Sequence, residues 1–107
     1  MSNDHAELRG KAVSLTSRGI SVKTCERYKI YKDGDQLRFH YFGSNGRLVG
    51  VKTKTIDKTF RYEGKSDGRF FGQNLFPNHG HQLVICEGEL DAASCAEAFP
   101  TWPMVSL

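Results

Sequence analysis

The stretch Gln82-Leu83-Val84-Ile85-Cys86-Glu87-Gly88 constrains this chain more than any other. A short apolar run ending abruptly in Glu-Gly reads as a buried strand. It delivers a carboxylate to the strand's carboxyl end, where open α/β sheets hold their ligands. Gly88 is expected to allow a sharp turn and to leave room beside Glu87. Glu89 to Phe99 follows as a helix, with Leu90, Ala93 and Ala98 apolar and acids in the first turn that complement the helix dipole. Pro100 and Pro103 stop it, Trp102 is expected to lie over its end, and Met104 to Leu107 reads as a second strand. Strand, helix and strand in about 25 residues predict a βαβ unit with a right-handed crossover. A chain that stops inside a strand is expected to be a fragment or a truncated product.

The upstream residues follow a different rule. Lys29 to Lys32 and Gln36 to Phe42 flank Asp33-Gly34-Asp35, a hairpin signal. In the second run Leu37, Phe39 and Tyr41 alternate with Arg38, His40 and Phe42. That period of two predicts a strand with Phe39 and Tyr41 in the core. The opposite face, with Arg38, His40 and Phe42, is the better candidate for stacking on bases. Ser44-Asn45-Gly46 makes a turn, Leu48 to Thr55 returns as a strand, and Thr59 to Tyr62 adds another. The segment from Asp67 to Asn78 reads as irregular connection anchored by Phe70, Phe71 and Phe76. Ahead of the meander, Ser21 caps a helix from Val22 to about Tyr28. Leu8, Ala12 and Leu15 suggest an earlier helix from His5 to Thr16. The fold class is therefore α+β: short N-terminal helices, an antiparallel β meander and a partial βαβ subdomain. The expected boundaries are 1–78 and 79–107.

Charge is arranged along the chain. Net charge is only +3, too mild by itself to argue a polyanionic partner. Arg47, Lys52, Lys54, Lys58, Arg61, Lys65 and Arg69 nevertheless outnumber the acids of the middle segment. Glu87, Glu89, Asp91 and Glu97 then occur with no Lys or Arg between them. A basic middle and an acidic end suit a protein that holds a phosphate chain and a divalent cation together. Cys25, Cys86 and Cys95 form no CxxC pair, so no zinc ribbon is encoded, and reduced thiols in a cytoplasmic compartment are expected. Cys86 reads as packing. His79 and His81 read as solvated loop residues rather than ligands. No apolar run reaches the roughly 20 residues needed to span a bilayer.

Glu87 and Asp91 carry the chemistry. Asp91 lies four residues on, in the first turn of the helix, and can project toward the same pocket. Two carboxylates near one helix N-terminus suit a hard cation such as Mg²⁺, which takes oxygen ligands and keeps several waters. The bland alternative for Glu89 and Asp91 is dipole complementation alone.

The segment Val84 to Asp91 resembles the Toprim motif of primases and topoisomerases, an apolar strand followed by Glu-Gly-x-x-Asp. Leu15 to Ser21 with Thr24-Cys25 resembles the opening of the primase portion of podovirus bifunctional primase-helicases. Lys52, Lys54, Lys58 and Phe60 fall in register with that family's basic segment, Phe71-Gly72 with Leu75 resembles its Phe-Gly-x-x-Leu stretch, and Val105 to Leu107 its second Toprim strand. The resemblance spans residues 8–107. It implies nucleotidyl transfer: synthesis of short RNA primers on a single-stranded DNA template from nucleoside triphosphates, with Mg²⁺. By that resemblance Glu87 is catalytic and a metal ligand, Asp91 a supporting ligand, and Lys52 and Lys58 face nucleotide and primer. Lys54 and Arg61 are further phosphate contacts. A helicase domain in the parent, a hexameric assembly, a phage protein in the cytoplasm of its bacterial host, and no membrane partner are also implied.

The chain departs from that family's pattern. The zinc module and the helicase P-loop are missing from these 107 residues, and the Asp-x-Asp pair and later aspartate that the family carries beyond its second Toprim strand would lie past Leu107, so the chain by itself is expected to have little or no primase activity. The residues admit two other readings. One is a non-catalytic module that binds single-stranded nucleic acid. The other is a different Toprim enzyme, a topoisomerase or a recombination-associated nuclease, which the lysine segment disfavours.

Overall fold

The computed structural model describes residues 7–43, 45–55, 57, 59–64, 70–76 and 83–106. Four strands form an antiparallel meander in the order β1 (Ile30–Asp33), β2 (Gln36–Phe42), β3 (Leu48–Lys54) and β4 (Phe60–Gly64). Helix α1 (Val22–Tyr28) precedes it. Beyond it, β5 (Val84–Cys86), helix α2 (Glu89–Ala98) and β6 (Met104–Ser106) make the expected βαβ unit, with β5 and β6 parallel. The α+β class and the meander therefore hold, with strand limits shifted by a few residues.

Register decides which side chains meet. Ile30, Phe39, Lys52 and Tyr62 form one cross-strand row, and Leu37, Lys54 and Phe60 the next. Paired residues share a face of an antiparallel sheet. That face packs on the core, where the Phe39 ring meets the Phe71 ring edge-on at 5.8 Å and Tyr41 approaches the same ring at 5.4 Å. Phe71 in turn exchanges two backbone hydrogen bonds with Ser106, at 2.8 and 3.0 Å, and so ties β6 to the sheet. A single cluster contains Ile20, Cys25, Tyr28, Ile30 and Phe39 together with Leu90, Ala93, Ala96 and Met104. Meander and βαβ unit thus share one core.

Helix α2 enters that core through small residues. Ala92, Ala93 and Ala96 are fully or almost fully buried, a spacing of three and four that lines one helical stripe. The two helices are fastened at their polar positions. Ser21 caps α1 by accepting from the Thr24 amide, and the Glu97 carboxylate of α2 accepts from the Ser21 amide at 2.6 Å and from its hydroxyl. Those bonds hold the Glu97 carboxyl below its usual range.

Several expectations need correction. The helix predicted over His5–Thr16 is absent from its described part. Lys11 instead pairs with Lys32 through two backbone bonds, and Leu15 bridges Ile20. Gly10 shows why: its φ is +87°, and an added Cβ would lie 2.4 Å from the Lys32 carbonyl oxygen, so the chain runs pressed against β1. Strand β5 is not buried throughout. Ile85 is half exposed, because α2 covers only the face that carries Val84 and Cys86. Gly88 makes no special turn. Its φ of −131° is open to any residue, although a Cβ there would sit 3.2 Å from Asp91 Oδ2. The predicted stacking face is also closed: Arg38 and His40 are 2% and 1% exposed. Arg38 Nη2 donates to the Glu7 carbonyl and Nη1 pairs with Glu63 at 3.6 Å. His40 Nδ1 lies 2.6 Å from the Lys29 carbonyl oxygen. Trp102 does lie beside the helix end, 5.8 Å from the Phe99 ring, but both rings stay largely exposed. Cys86 and Cys95 lie with their sulfurs 3.9 Å apart, and burial, then the neighbouring thiol, push Cys86 up to about 11.

Candidate nucleotide-binding site

The core-facing side of the meander outruns the core at β3 and β4, and there it carries cations. Lys52 and Lys54 project from the same face of β3 as Phe39, by the register above. The first turn of α2 stands opposite them. Between the two lies a cleft of about 190 Å³, bounded by Phe39, Lys54 and Phe60 from the meander and by the backbone and side chains of Gly88 to Asp91 from α2, with Arg18 at its rim. The first amides of a helix have no intrahelical partner, and α2 has no side-chain cap. A helix end of this kind, with Lys54 and Arg18 nearby, favours an anionic phosphate in the cleft.

Glu89 dominates the electrostatics. It is only 5% exposed, yet it sits at the opening residue of α2. Its Oε2 lies 3.1 Å from Lys52 Nζ and also accepts a hydrogen bond from the Tyr41 hydroxyl. Burial, and then the Glu89 carboxylate, push the Tyr41 hydroxyl far above the usual phenol range, so it stays a donor. Lys52 Nζ additionally lies 4.7 Å from the centre of the Phe60 ring, a cation–π distance.

The predicted site residues are distributed unequally. Asp91 is exposed and lines the cleft, as expected from its position in the first turn. Glu87 is exposed at the end of β5, one residue before the cleft wall begins. Lys54 lines the cleft, and Lys52 stands beside it, against Glu89 and Phe60, which do line it. Arg61 pairs with Thr53 and therefore projects from the other face of the sheet. Lys58 lies outside the described residues, as do His79 and His81. The donors at the mouth are oxygen only, which suits Mg²⁺ in kind. Among the described residues, no group of three acidic, histidine or cysteine side chains could hold a metal ion. Glu87 and Asp91 are thus at most part of a coordination shell, and Glu89 is already committed to Lys52.

Sequence reasoning assigned Glu89 only to the helix dipole. A signal for its burial was present. Glu89, Ala92, Ala93 and Ala96 stand at i, i+3, i+4 and i+7, so the carboxylate heads the buried stripe of α2 and requires a cation.

No family model matches the chain. The DNA helicase/primase of Enterobacteria phage T3 is 35% identical over 105 residues, covering 92% of this chain and 18% of that protein. This chain therefore spans about a fifth of that relative's length. The crystal structure of the primase fragment of the bacteriophage T7 primase-helicase superposes with a TM-score of 0.83 at 34% identity, over 92% of this chain and 43% of that one. A second T7 structure shows primase domains with an RNA/DNA hybrid, dTTP and the lagging-strand DNA polymerase. It gives a TM-score of 0.79 at 34% identity, over 92% and 46% of the two chains. The chain is homologous to the primase portion of the phage T3 and T7 primase-helicases.

Proposed function

We propose that this chain is part of a phage primase that joins nucleoside triphosphates into short RNA primers on single-stranded DNA. The observation that carries this reading is the cleft itself, which sets the basic face of the meander against the first turn of α2. Lys54 and Arg18 would take the phosphates, helped by the open amides of α2. Lys52 would present a fixed ammonium beside the cleft, and Lys58 would extend the contact with nucleotide and primer, while Arg61, on the other face of the sheet, would reach phosphate only outside the cleft. Glu87 and Asp91 would hold Mg²⁺, which when bound offsets negative charge on the reacting phosphoryl oxygens. Glu87 is the proposed catalytic carboxylate. The boundary near residue 78 would separate the basic subdomain from the Toprim portion. A helicase domain, possession of a hexameric assembly and residence in the host cytoplasm would belong to the parent protein. With two carboxylates at its mouth, the chain alone would bind Mg²⁺ weakly and make no primers.

Primer synthesis from nucleoside triphosphates by the primase that contains this chain tests the reading. Glu87→Gln and Lys52→Ala should each lower it about 10²-fold or more, the usual scale for removing a charge-stabilising group. Full activity in Glu87→Gln refutes the assignment of that residue.

The second reading is a non-catalytic module for single-stranded nucleic acid. It is favoured by the lack of a three-ligand metal group among the described residues. Filter binding across a salt series separates the two. Steep salt dependence with no primer synthesis supports the module, since each phosphate contact releases counterions.

A further inference from the structure

Lys52 and Lys54 share a strand face two residues apart, yet their surroundings differ. Lys54 lines the cleft and makes no ion pair among the described residues. Lys52 is held from two sides, by Glu89 Oε2 at 3.1 Å and by the Phe60 ring at 4.7 Å. The same Glu89 oxygen accepts from the Tyr41 hydroxyl, so the carboxylate is fixed before it meets the lysine. Glu89 is itself anchored by the backbone of α2, and Tyr41 by its contact with Phe71 in the core. The chain of contacts therefore runs from the rigid core to one ammonium group beside the cleft. A lysine on a flexible four-carbon stem loses considerable freedom when so held. An ammonium already in place needs no reorganisation when a phosphate arrives.

We propose that Glu89, steadied by the Tyr41 hydroxyl, is a positioning residue that fixes the Lys52 ammonium beside the cleft, against the Glu89 and Phe60 side chains that line it. This rests on the primase reading for its functional consequence, but the positioning can be measured without it. Both acceptor and donor are placed by backbone elements remote in sequence, the first turn of α2 and the end of β2. The arrangement thus exists only when the βαβ unit is docked on the meander.

Competitive acetylation of the folded chain, read by peptide mass spectrometry, reports the accessibility of each lysine. Lys52 should react about tenfold more slowly than Lys54, since its amine is engaged in a charge-assisted bond. Glu89→Gln should remove most of that protection and leave the Lys54 rate unchanged, with circular dichroism confirming the fold. Tyr41→Phe should raise the Lys52 rate about twofold, because the carboxylate then loses one of its anchors. It provides the readout if Glu89→Gln does not fold. Equal rates for Lys52 and Lys54 in the unmodified chain overturn the proposal, as does unchanged protection in either folded variant. In the primase containing this chain, Glu89→Gln should lower kcat more than it raises KM, with Glu89→Asp partly restoring kcat. If Lys52→Ala abolishes primer synthesis while Glu89→Gln leaves it intact, the positioning role fails and the primase reading stands. If Lys52→Ala has no effect on primer synthesis while the labelling behaves as expected, the role given to Lys52 in that reading fails instead.

Discussion

The two faces of the meander both bury charge, and they do so differently. On one face Arg38, His40 and Thr53 are buried, with Arg38 bonded to the Glu7 carbonyl of the N-terminal segment and His40 to the Lys29 carbonyl just ahead of β1. Their polar atoms are incompletely satisfied: Arg38 Nε and Thr53 Oγ1 have no hydrogen-bond partner among the described residues. On the other face Lys52 and Tyr41 both bind Glu89, which lines the wall of an open cleft. Burial of charge therefore does not mark the site in this molecule. Its opening onto a cavity does, together with the meeting of elements far apart in sequence. The sealed cluster closes a sheet face; the open one can meet a ligand.

Mutations can sharpen or break this contrast. The largest effect is expected from Lys52→Met, which leaves Glu89 buried without its cation. It should destabilise the chain by about 3 kcal/mol, at the low end for a broken buried pair because Lys52 is itself partly exposed. The double variant Lys52→Met/Glu89→Leu should recover most of that loss. Urea denaturation measures both, and an unaffected midpoint in Lys52→Met would show that the pair is no tighter than a surface one. Arg38→Met should cost less, about 1–2 kcal/mol, mostly through the Glu7 carbonyl left without its donor. Its partner Glu63 is about a third exposed and can turn to solvent. A cost equal to that of Lys52→Met would erase the distinction between the faces.

The smallest expected effect is that of pH on the sealed face. Burial lowers the His40 pKa from its ordinary 6.5, assisted by the charges of Arg38 and Lys29 and opposed by the Lys29 carbonyl. The unfolded chain therefore takes up this proton at a higher pH than the folded one. Stability should be full above about pH 6.5 and fall as pH drops from there toward the depressed folded value. His40→Gln should flatten that part of the urea-midpoint profile. If the slope persists, another group is responsible.

Much of the architecture was legible because local rules and tertiary needs agree there. The alternation in Gln36–Phe42 correctly placed Phe39 in the core, Ser21 does cap α1, and the run from Val84 to Ser106 is a parallel βαβ unit. The reading failed where a distant partner decides. Leu8, Ala12 and Leu15 are spaced as well for a helix as for nothing in particular, and the Lys32 backbone recruits this segment instead. Arg38 and His40 look like an exposed face until the N-terminal segment is known to lie on it. Of the residues named from pattern and resemblance, Asp91 and Lys54 line the cleft and Lys52 lies beside it. Glu89 was overlooked because an acid in the first turn of a helix already had a sufficient local explanation.

The alanine stripe of α2 sets a mechanical tolerance on this chemistry. A helix that seats through methyl groups has almost no slack, so its standoff from the core works as a ruler for everything mounted on its first turn. Substituting Val for Ala93 or Ala96 would add bulk where none fits and tilt or lift the helix. The displacement would be felt as a widened gap between two opposite charges at its far end. Drift in a residue that touches no ligand would then appear as a mis-set distance at the wall of the cleft.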